Sequence, residues 1–506
     1  MHVPFVSATK LQTLQLPTKS FIQMDFITKY TFFIFCIILL PCSIIGQSGT
    51  KNHNILFISI DDFRPKINSY GESKMITPNI DKLASEGLQF NNAFTNIAVC
   101  GASRASIMTG IRPSQARFND YTSMASKDTP DAISLNQLFM ENGYETISYG
   151  KIYHYPNDNG QYWSDNDGGA HQADYQDPEA QARKRDGEIG EHGRKGPAYE
   201  YPEVDDYAYN DGKVTMRALD KMKALKAENK PFFMAVGYVS PHLPFIQPKK
   251  YWDLYNHDEI QLADNAYQPK NSPYIAMHSQ HDNAELRNMY LDIPAKGLLS
   301  DEMSRNLVHG YYASVSYMDA LIGDLINGLD ALGLRENTTV ILWSDHGFFL
   351  GEHGFWCKHS TFYEAIKIPF IISSPGFAKN RTTDSFTELV DVYPTLCELT
   401  GMVPPKYIHG KSLIPVMKNP ELKLKDEIYT RYKQGEAVVD ENYSYTEFFQ
   451  GEKYIGNMLY DLKQDSKQNK DISEYPTNAA TIKKYSKKLK TMRDFVNRDP
   501  LKAALD

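Results

Sequence analysis

The sequence has few cysteines, no excess of positive charge, no repeat and no low-complexity tract, and each absence excludes a class of protein. Five cysteines in 506 residues are too few for a disulfide-dense scaffold. The formal net charge of -8 at pH 7 argues against nucleic acid as a partner. With 42% hydrophobic and 23% charged residues the composition is that of a globular protein, and the length predicts more than one domain.

A run of apolar residues long enough to span a membrane is also missing at the N-terminus. Residues 32–40 are apolar and follow Lys29, but a span needs about 20 such residues. A basic residue, a short apolar run and small residues before the cut are typical of a cleaved signal peptide. We therefore expect residues 1–46 to be a signal peptide, with Met24 as an alternative start, and the mature protein to be secreted or periplasmic.

The positions of the cysteines limit their chemistry. Cys36 and Cys42 lie in the predicted signal segment, and Cys42 would attach the protein to a membrane if it carried a lipid. Three cysteines remain, Cys100, Cys357 and Cys397. Because three is an odd number, at least one of these thiols is unpaired within the chain. Whether Cys357 and Cys397 pair is left open, and the helical pattern around Cys397 predicts a buried side chain.

Four apolar runs of β type end abruptly at polar residues: 55–60, 146–149, 232–239 and 339–344. Continuous rather than alternating apolar runs indicate strands that are covered on both faces, as in a parallel sheet. Helical patterns separate them, over residues 79–86, 134–142, 214–227 and 311–332. The alternation predicts an α/β fold in which a doubly wound, mostly parallel sheet is flanked by helices.

Chemically useful side chains follow all four runs. In open α/β sheets ligands bind beyond the carboxyl ends of the strands. We therefore expect one site to collect Asp61, Asp62, Lys151, His154, His242, Asp345 and His346.

The pattern changes near residue 426. Short alternating segments at 428–432, 443–449 and 458–462 are typical of antiparallel strands, and an amphipathic helix follows. This predicts a smaller C-terminal α+β subdomain at residues 426–506, beside a main domain at 47–425. The long polar stretch 160–211 is expected to line a substrate pocket.

The segment from Cys100 to Gly110 carries the most specific motif. A cysteine near a helix start is a candidate thiolate nucleophile, because a helix N-terminus stabilises an anion. Arg104 follows Cys100 by four residues, which places both on one helix face. The spacing Cys-x-Ala-x-Arg, with Thr109 and Gly110 after it, resembles the signature of the type I sulfatases, whose cysteine is oxidised to formylglycine (3-oxoalanine).

Further blocks match that family in order, and they most resemble its iduronate-2-sulfatase branch over residues 52–475. Ala102 replaces the more frequent proline and Met108 the usual leucine. The resemblance implies an alkaline-phosphatase-like fold and a maturation enzyme that generates formylglycine. The matching blocks begin at Asp61, Gly150, Val239, Ser344 and Leu459.

Three carboxylates, of Asp61, Asp62 and Asp345, are hard oxygen ligands suited to a calcium-sized cation. The resemblance adds His346 and the modified residue 100 to this ligand set. The alternative is that His346 only hydrogen-bonds a carboxylate.

The resemblance also implies catalytic roles. Arg104 would hold the hydrated aldehyde, which is the nucleophile, and His242 or Lys358 would give a proton to the leaving alcohol. His154 would be the base that restores the aldehyde. Lys151, Lys358 and His359 are expected to provide local positive charge, and substrate would bind at Lys151, His242 and Lys358.

These observations predict a sulfatase that removes sulfate from a sulfated oligo- or polysaccharide. The branch indicates a 2-sulfated uronic acid, as in ulvan or a glycosaminoglycan. The alternatives are a phosphate or phosphonate monoester hydrolase of the same superfamily and a non-catalytic carbohydrate-binding relative. A two-zinc phosphatase would need a second set of metal ligands, and we find none in the sequence.

Overall fold

The computed structural model describes residues 53–169, 174–190, 193–277 and 284–503. The predicted signal peptide, including Cys36 and Cys42, lies outside the described residues. Within the described ranges, no helix combines the length and the apolar character needed to cross a membrane.

Eight strands form the central sheet. They are β1 Asn54–Ile60, β2 Leu88–Phe90, β3 Glu145–Gly150, β4 Asp165–Asn166, β5 Phe232–Tyr238, β6 Thr338–Ser344, β7 Phe370–Ser373 and β8 Arg381–Thr383. Their order is β8-β2-β7-β6-β1-β5-β3-β4. Only β7 runs antiparallel to its neighbours, so the sheet is mostly parallel, as predicted.

The principal helices are α1 Pro78–Ser85, α2 Cys100–Thr109, α3 Leu135–Glu141, α4 Pro178–Asp186, α5 Asn210–Glu228, α6 Asp301–Ala331, α7 Val392–Thr400 and α8 Ala479–Val496. Shorter helices are Ala125–Asp128, Lys249–Trp252, Ala284–Met289, Tyr363–Ile366, Ile414–Lys418 and Pro500–Ala503. Helix α6 begins ten residues before the predicted start at residue 311. Its first six residues are polar except for Met303 and show no apolar period, and Ser300 caps the helix by accepting a hydrogen bond from the Met303 amide at 3.2 Å.

Both faces of the sheet are buried. Leu56, Ile58 and Ile60 of β1 pack in one core cluster with residues of α1, α5 and α6. Ile55 and Phe57 point the other way, into a second cluster with residues of α2, α3 and α7. Side chains alternate along a strand, so an all-apolar run is stable only when helices cover both faces. The doubly wound α/β fold is confirmed.

The C-terminal part has a four-stranded antiparallel sheet with α8 packed on it. Three strands were predicted from alternation, and the fourth was missed because every residue of Gly435–Asp440 is buried and no alternation shows. The boundary at residues 425 and 426 remains a prediction. The strands are β9 Glu427–Tyr432, β10 Gly435–Asp440, β11 Tyr443–Gln450 and β12 Lys453–Asp461.

Three minor sheets are also found within the described residues. One joins Ala93–Phe94, Lys367–Ile368 and Thr387–Glu388, one pairs Tyr199–Glu200 with Phe245–Ile246, and one pairs Ile189–Gly190 with Gly193–Arg194.

A buried ion network ties the end of α2 to the chain that enters β9. The Glu388 carboxylate accepts hydrogen bonds from the Arg112 guanidinium, at 2.9 Å from Nε, and from Lys425. The three side chains are 2%, 6% and 7% exposed. Removing one member of such a network leaves an uncompensated buried charge.

We predict that Glu388→Ala lowers the free energy of unfolding by about 3–5 kcal/mol, because Arg112 stays buried without its carboxylate partner, while Lys425 keeps its ion pair with Asp391. Glu421→Ala is the matched control. It breaks the Arg381–Glu421 pair, whose side chains are 49% and 80% exposed, and should have almost no effect. Denaturant-induced unfolding measures both, and equal losses would contradict this account.

Candidate active site

The carboxyl ends of the central strands lie level with one another. Ile60, the last residue of β1, is in register with Ser344 of β6 and with Tyr238 of β5. Gly150 of β3 is in register with Gly237. The residues that follow these strands therefore start from one edge of the sheet.

A glycine brings β3 close to its neighbour at this edge. A Cβ atom at Gly237 would lie 2.1 Å from the carbonyl oxygen of Lys151, which no side chain could accommodate. The contact carries Lys151 toward Asp61, and its ammonium group donates a hydrogen bond to Asp61 Oδ2.

Cys100 is the first residue of α2, and its thiol is buried between two polar groups. Its Sγ atom donates to Asp61 Oδ1 at 3.4 Å and lies 3.1 Å from His346 Nε2. Burial and the charge of Asp61 raise the pKa of the Cys100 thiol. Reactive cysteines have lowered pKa values, so the structure offers no support for a thiolate nucleophile.

A metal-capable centre surrounds this thiol. The ligand atoms of Asp61, Cys100, Asp345 and His346 all lie within 4.8 Å of one another, and the four residues are buried. His346 Nδ1 donates to the Gly347 carbonyl at 3.0 Å, which fixes the tautomer and leaves the Nε2 lone pair facing the centre.

Asp62 lies beside this centre. Its Oδ1 atom is buried and accepts no hydrogen bond from the residues that the structure describes, although His346 Nδ1 is 3.2 Å away. A buried carboxylate oxygen without a donor is costly unless a cation compensates it. The donor set therefore fits a divalent cation.

Arg104 contacts two of the candidate metal ligands, Asp345 and Asp61. It is fully buried, and Nε donates to Asp345 Oδ2 at 2.8 Å while Nη1 donates to Ser59 Oγ at 2.8 Å. Its Nη2 is 3.8 Å from Asp61 Oδ1. Burial alone would raise the pKa of Asp61, but the charges of Lys151, His242 and Arg104 outweigh it and hold that pKa well below its usual range.

A second group of charges lies on the side of Asp62. Lys358 Nζ is 3.0 Å from His242 Nε2 and 3.4 Å from Asp62 Oδ2. Glu285 completes the group: its carboxylate is 3.1 Å from Lys358 Nζ and 3.1 Å from His242 Nε2. Sequence reasoning missed Glu285, because it lies in a polar segment that follows no predicted strand and carries no motif.

Two further predicted residues are His154 and His359. The ring of His154 packs against Tyr121, with centroids 6.1 Å apart, and a Cβ on Gly101 would meet the Tyr121 carbonyl at 2.2 Å. Tyr121 therefore lies between His154 and the first turn of α2. Burial and the charge of Lys358 lower the pKa of His359 to about 3, so the expected positive charge at His359 is wrong.

Part of the polar stretch 160–211 approaches the same side. Tyr199–Glu200 pairs with Phe245–Ile246, three residues after His242, and Gly196 bridges to Tyr290, five residues after Glu285. Residues 170–173 and 191–192 of this stretch lie outside the described residues.

The sheet and its buried, metal-capable centre define a protein of alkaline-phosphatase-like fold. The chain belongs to the sulfatase family, the sulfuric ester hydrolases. The family model described as "Sulfatase" matches residues 53–402, and the model described as "N-sulphoglucosamine sulphohydrolase, C-terminal" matches residues 351–495.

Curated relatives agree with this assignment, and a solved structure shares the fold. Iduronate 2-sulfatase of Mus musculus is 33% identical, with 74% of this chain and 73% of the relative covered. An ulvan-active sulfatase of Formosa agariphila is 25% identical over 87% of this chain and 86% of its own length. A protein solved with its substrate D-glucosamine-2-N,6-O-disulfate shares the fold, with a TM-score of 0.69, 22% identity, and coverage of 89% of this chain and 99% of that one.

The geometry predicts that a divalent cation such as calcium stabilises the folded protein and that Asp61→Asn and Asp345→Asn each abolish this effect. A ligand present at 100 times its Kd stabilises the folded state by about 2.7 kcal/mol, and a variant that does not bind it gains nothing. Thermal unfolding with and without calcium, together with metal content after dialysis, measures the effect. Asp264→Asn is the control, since Asp264 is an exposed partner of Lys467. Loss of the calcium response in this control alone, or in none of the three, would contradict the assignment.

Proposed function

We propose that this protein is a calcium-dependent sulfatase that uses a formylglycine made from Cys100 to remove sulfate from a sulfated carbohydrate. One observation carries the proposal: Asp61, Asp345, His346 and position 100 surround a single buried point. Lys151 and Lys358 supply positive charge next to it. A site for a metal and a site for a sulfate ester are therefore adjacent.

Calcium is favoured by the donor chemistry. The carboxylates of Asp61, Asp62 and Asp345 provide hard oxygen atoms, which this cation prefers over sulfur. When bound, the ion would neutralise and orient sulfate oxygens as a Lewis acid. Arg104 keeps Asp345 in place for this role through the hydrogen bond from Nε.

Position 100 is proposed to carry formylglycine, since an unmodified thiol is a poor ligand for a hard cation. In the conversion the C–S bond and one Cβ–H bond break, sulfur leaves as hydrogen sulfide, and C=O forms with an oxygen atom at the level of water. The β-carbon loses two electrons and two protons, and the electrons pass to an oxidant such as dioxygen that the maturation enzyme supplies. The hydrated aldehyde supplies a geminal diol, which neither serine nor cysteine provides.

The chain's own side chains do the remaining work. Lys151, Lys358 and His242 would hold the sulfate oxygens, and the leaving sugar alcohol would take a proton from His242 or Lys358. His154 would accept the proton that residue 100 loses when it returns to its resting state. Arg104 would keep its unused Nη2 donor for that residue.

The proposed substrate is a 2-sulfated uronic acid within a polysaccharide such as ulvan or a glycosaminoglycan. The resemblance to iduronate 2-sulfatase and to an ulvan-active sulfatase supports this class. The predicted signal peptide supports action outside the cytoplasm, as a secreted or periplasmic enzyme or as a lipoprotein attached at Cys42.

We predict that Cys100→Ala lowers sulfate release by at least about 1,000-fold, because the methyl group of alanine cannot become the geminal diol. Sulfate release is measured on a panel of oligosaccharides that differ in the position of the sulfate. Mass spectrometry of the wild-type peptide around position 100 should show the aldehyde in place of the thiol. Cys397→Ala, a buried cysteine in α7, is the control and should retain turnover. Full activity of a protein whose Cys100 is still a thiol would overturn the proposal.

A further inference from the structure

The cations proposed to hold the substrate's sulfate already contact carboxylates of the protein. Lys358 Nζ lies 3.4 Å from Asp62 Oδ2 and 3.1 Å from Glu285 Oε1, and each carboxylate oxygen can accept one of its hydrogen bonds. His242 Nε2 lies 3.0 Å from the same ammonium group. The side chain of Lys358 is only 3% exposed, so bulk solvent has little access to these contacts.

His242 contacts the same two carboxylates. Its Nδ1 donates to the Leu243 carbonyl at 2.7 Å, and as an imidazolium its Nε2 donates to Glu285 Oε1 at 3.1 Å, with Asp62 Oδ2 at 3.6 Å. A sulfate oxygen that bridges Lys358 and His242 therefore competes with one of the two carboxylates that these cations share. Asp62 is held next to the metal centre by the fold, which leaves Glu285 as the partner that is able to give way.

We infer that Glu285 is an internal counter-anion: its carboxylate occupies the position of the substrate's sulfate in the resting protein and is displaced on binding. This inference rests on the proposed function, because it takes Lys358 and His242 as sulfate-holding residues. Glu285 is 14% exposed, and its side chain has rotatable bonds about which the carboxylate can turn away without movement of the sheet.

The charges explain why such a residue is useful. Inorganic sulfate carries one more negative charge than a sulfate ester, so a purely cationic pocket would hold the product more tightly than the substrate. A carboxylate that returns to Lys358 and His242 competes with both anions and favours release of the product. Glu285 thus weakens substrate binding and product inhibition together.

The test is the inhibition constant of inorganic sulfate for the full, metal-loaded protein. Glu285→Gln keeps the shape and removes the charge, so we expect the inhibition constant and KM each to fall about tenfold, with kcat not increased. Glu285→Asp keeps the charge and should stay close to wild type. Asp292→Asn removes a charge from the same segment, where Asp292 pairs with Arg183 at the surface, and should change neither constant.

An unchanged or higher inhibition constant in Glu285→Gln would overturn the inference. If kcat also fell while the inhibition constant stayed unchanged, Glu285 would be a positioning residue instead. The shift in the thermal unfolding temperature that inorganic sulfate causes measures the same affinity without catalytic turnover. If wild type hydrolyses no sulfate ester, the proposed function fails. The sulfate-dependent shift then still shows whether Glu285 competes with an anion.

Discussion

The repulsion among three buried carboxylates is the constraint on which the rest of this site depends. Asp61, Asp62 and Asp345 are all fully buried at the carboxyl edge of the sheet. Neighbouring negative charges in a low-dielectric interior are stable only when cations compensate them. The surroundings of the three aspartates follow from that requirement.

Compensation comes from two directions. Arg104 and Lys151 neutralise Asp345 and Asp61 from the interior, where the guanidinium is itself held by Ser59 and by backbone carbonyls. Lys358 faces Asp62 from the opposite side and is shared with Glu285. Asp62 Oδ1 remains without a hydrogen bond among the described residues. A divalent cation would satisfy it and bring positive charge to the point where an anionic ester must bind.

Much of this arrangement could be predicted from the sequence, because the information is local. The apolar runs that became β1, β3, β5 and β6 ended within a residue of their predicted ends, and the polar residues after them were therefore placed at one edge. The motif at Cys100 fixed the start of α2 in the same way. Long-range packing carries no such pattern: the antiparallel strand β7, the fully buried strand β10 and the approach of Glu285 to Lys358 all depend on partners far away in the chain. His359 was misjudged for the same reason, since only the fold shows that burial and Lys358 keep it neutral.

The most direct test of the central claim is a crystal structure of the mature, calcium-loaded protein with sulfate bound, in which anomalous scattering identifies the cation. The account predicts one calcium ion coordinated by Asp61, Asp62, Asp345 and His346, with an oxygen of residue 100 and a sulfate oxygen completing its shell. A cation bound elsewhere, or a sulfur atom at residue 100 in a fully active preparation, would contradict it.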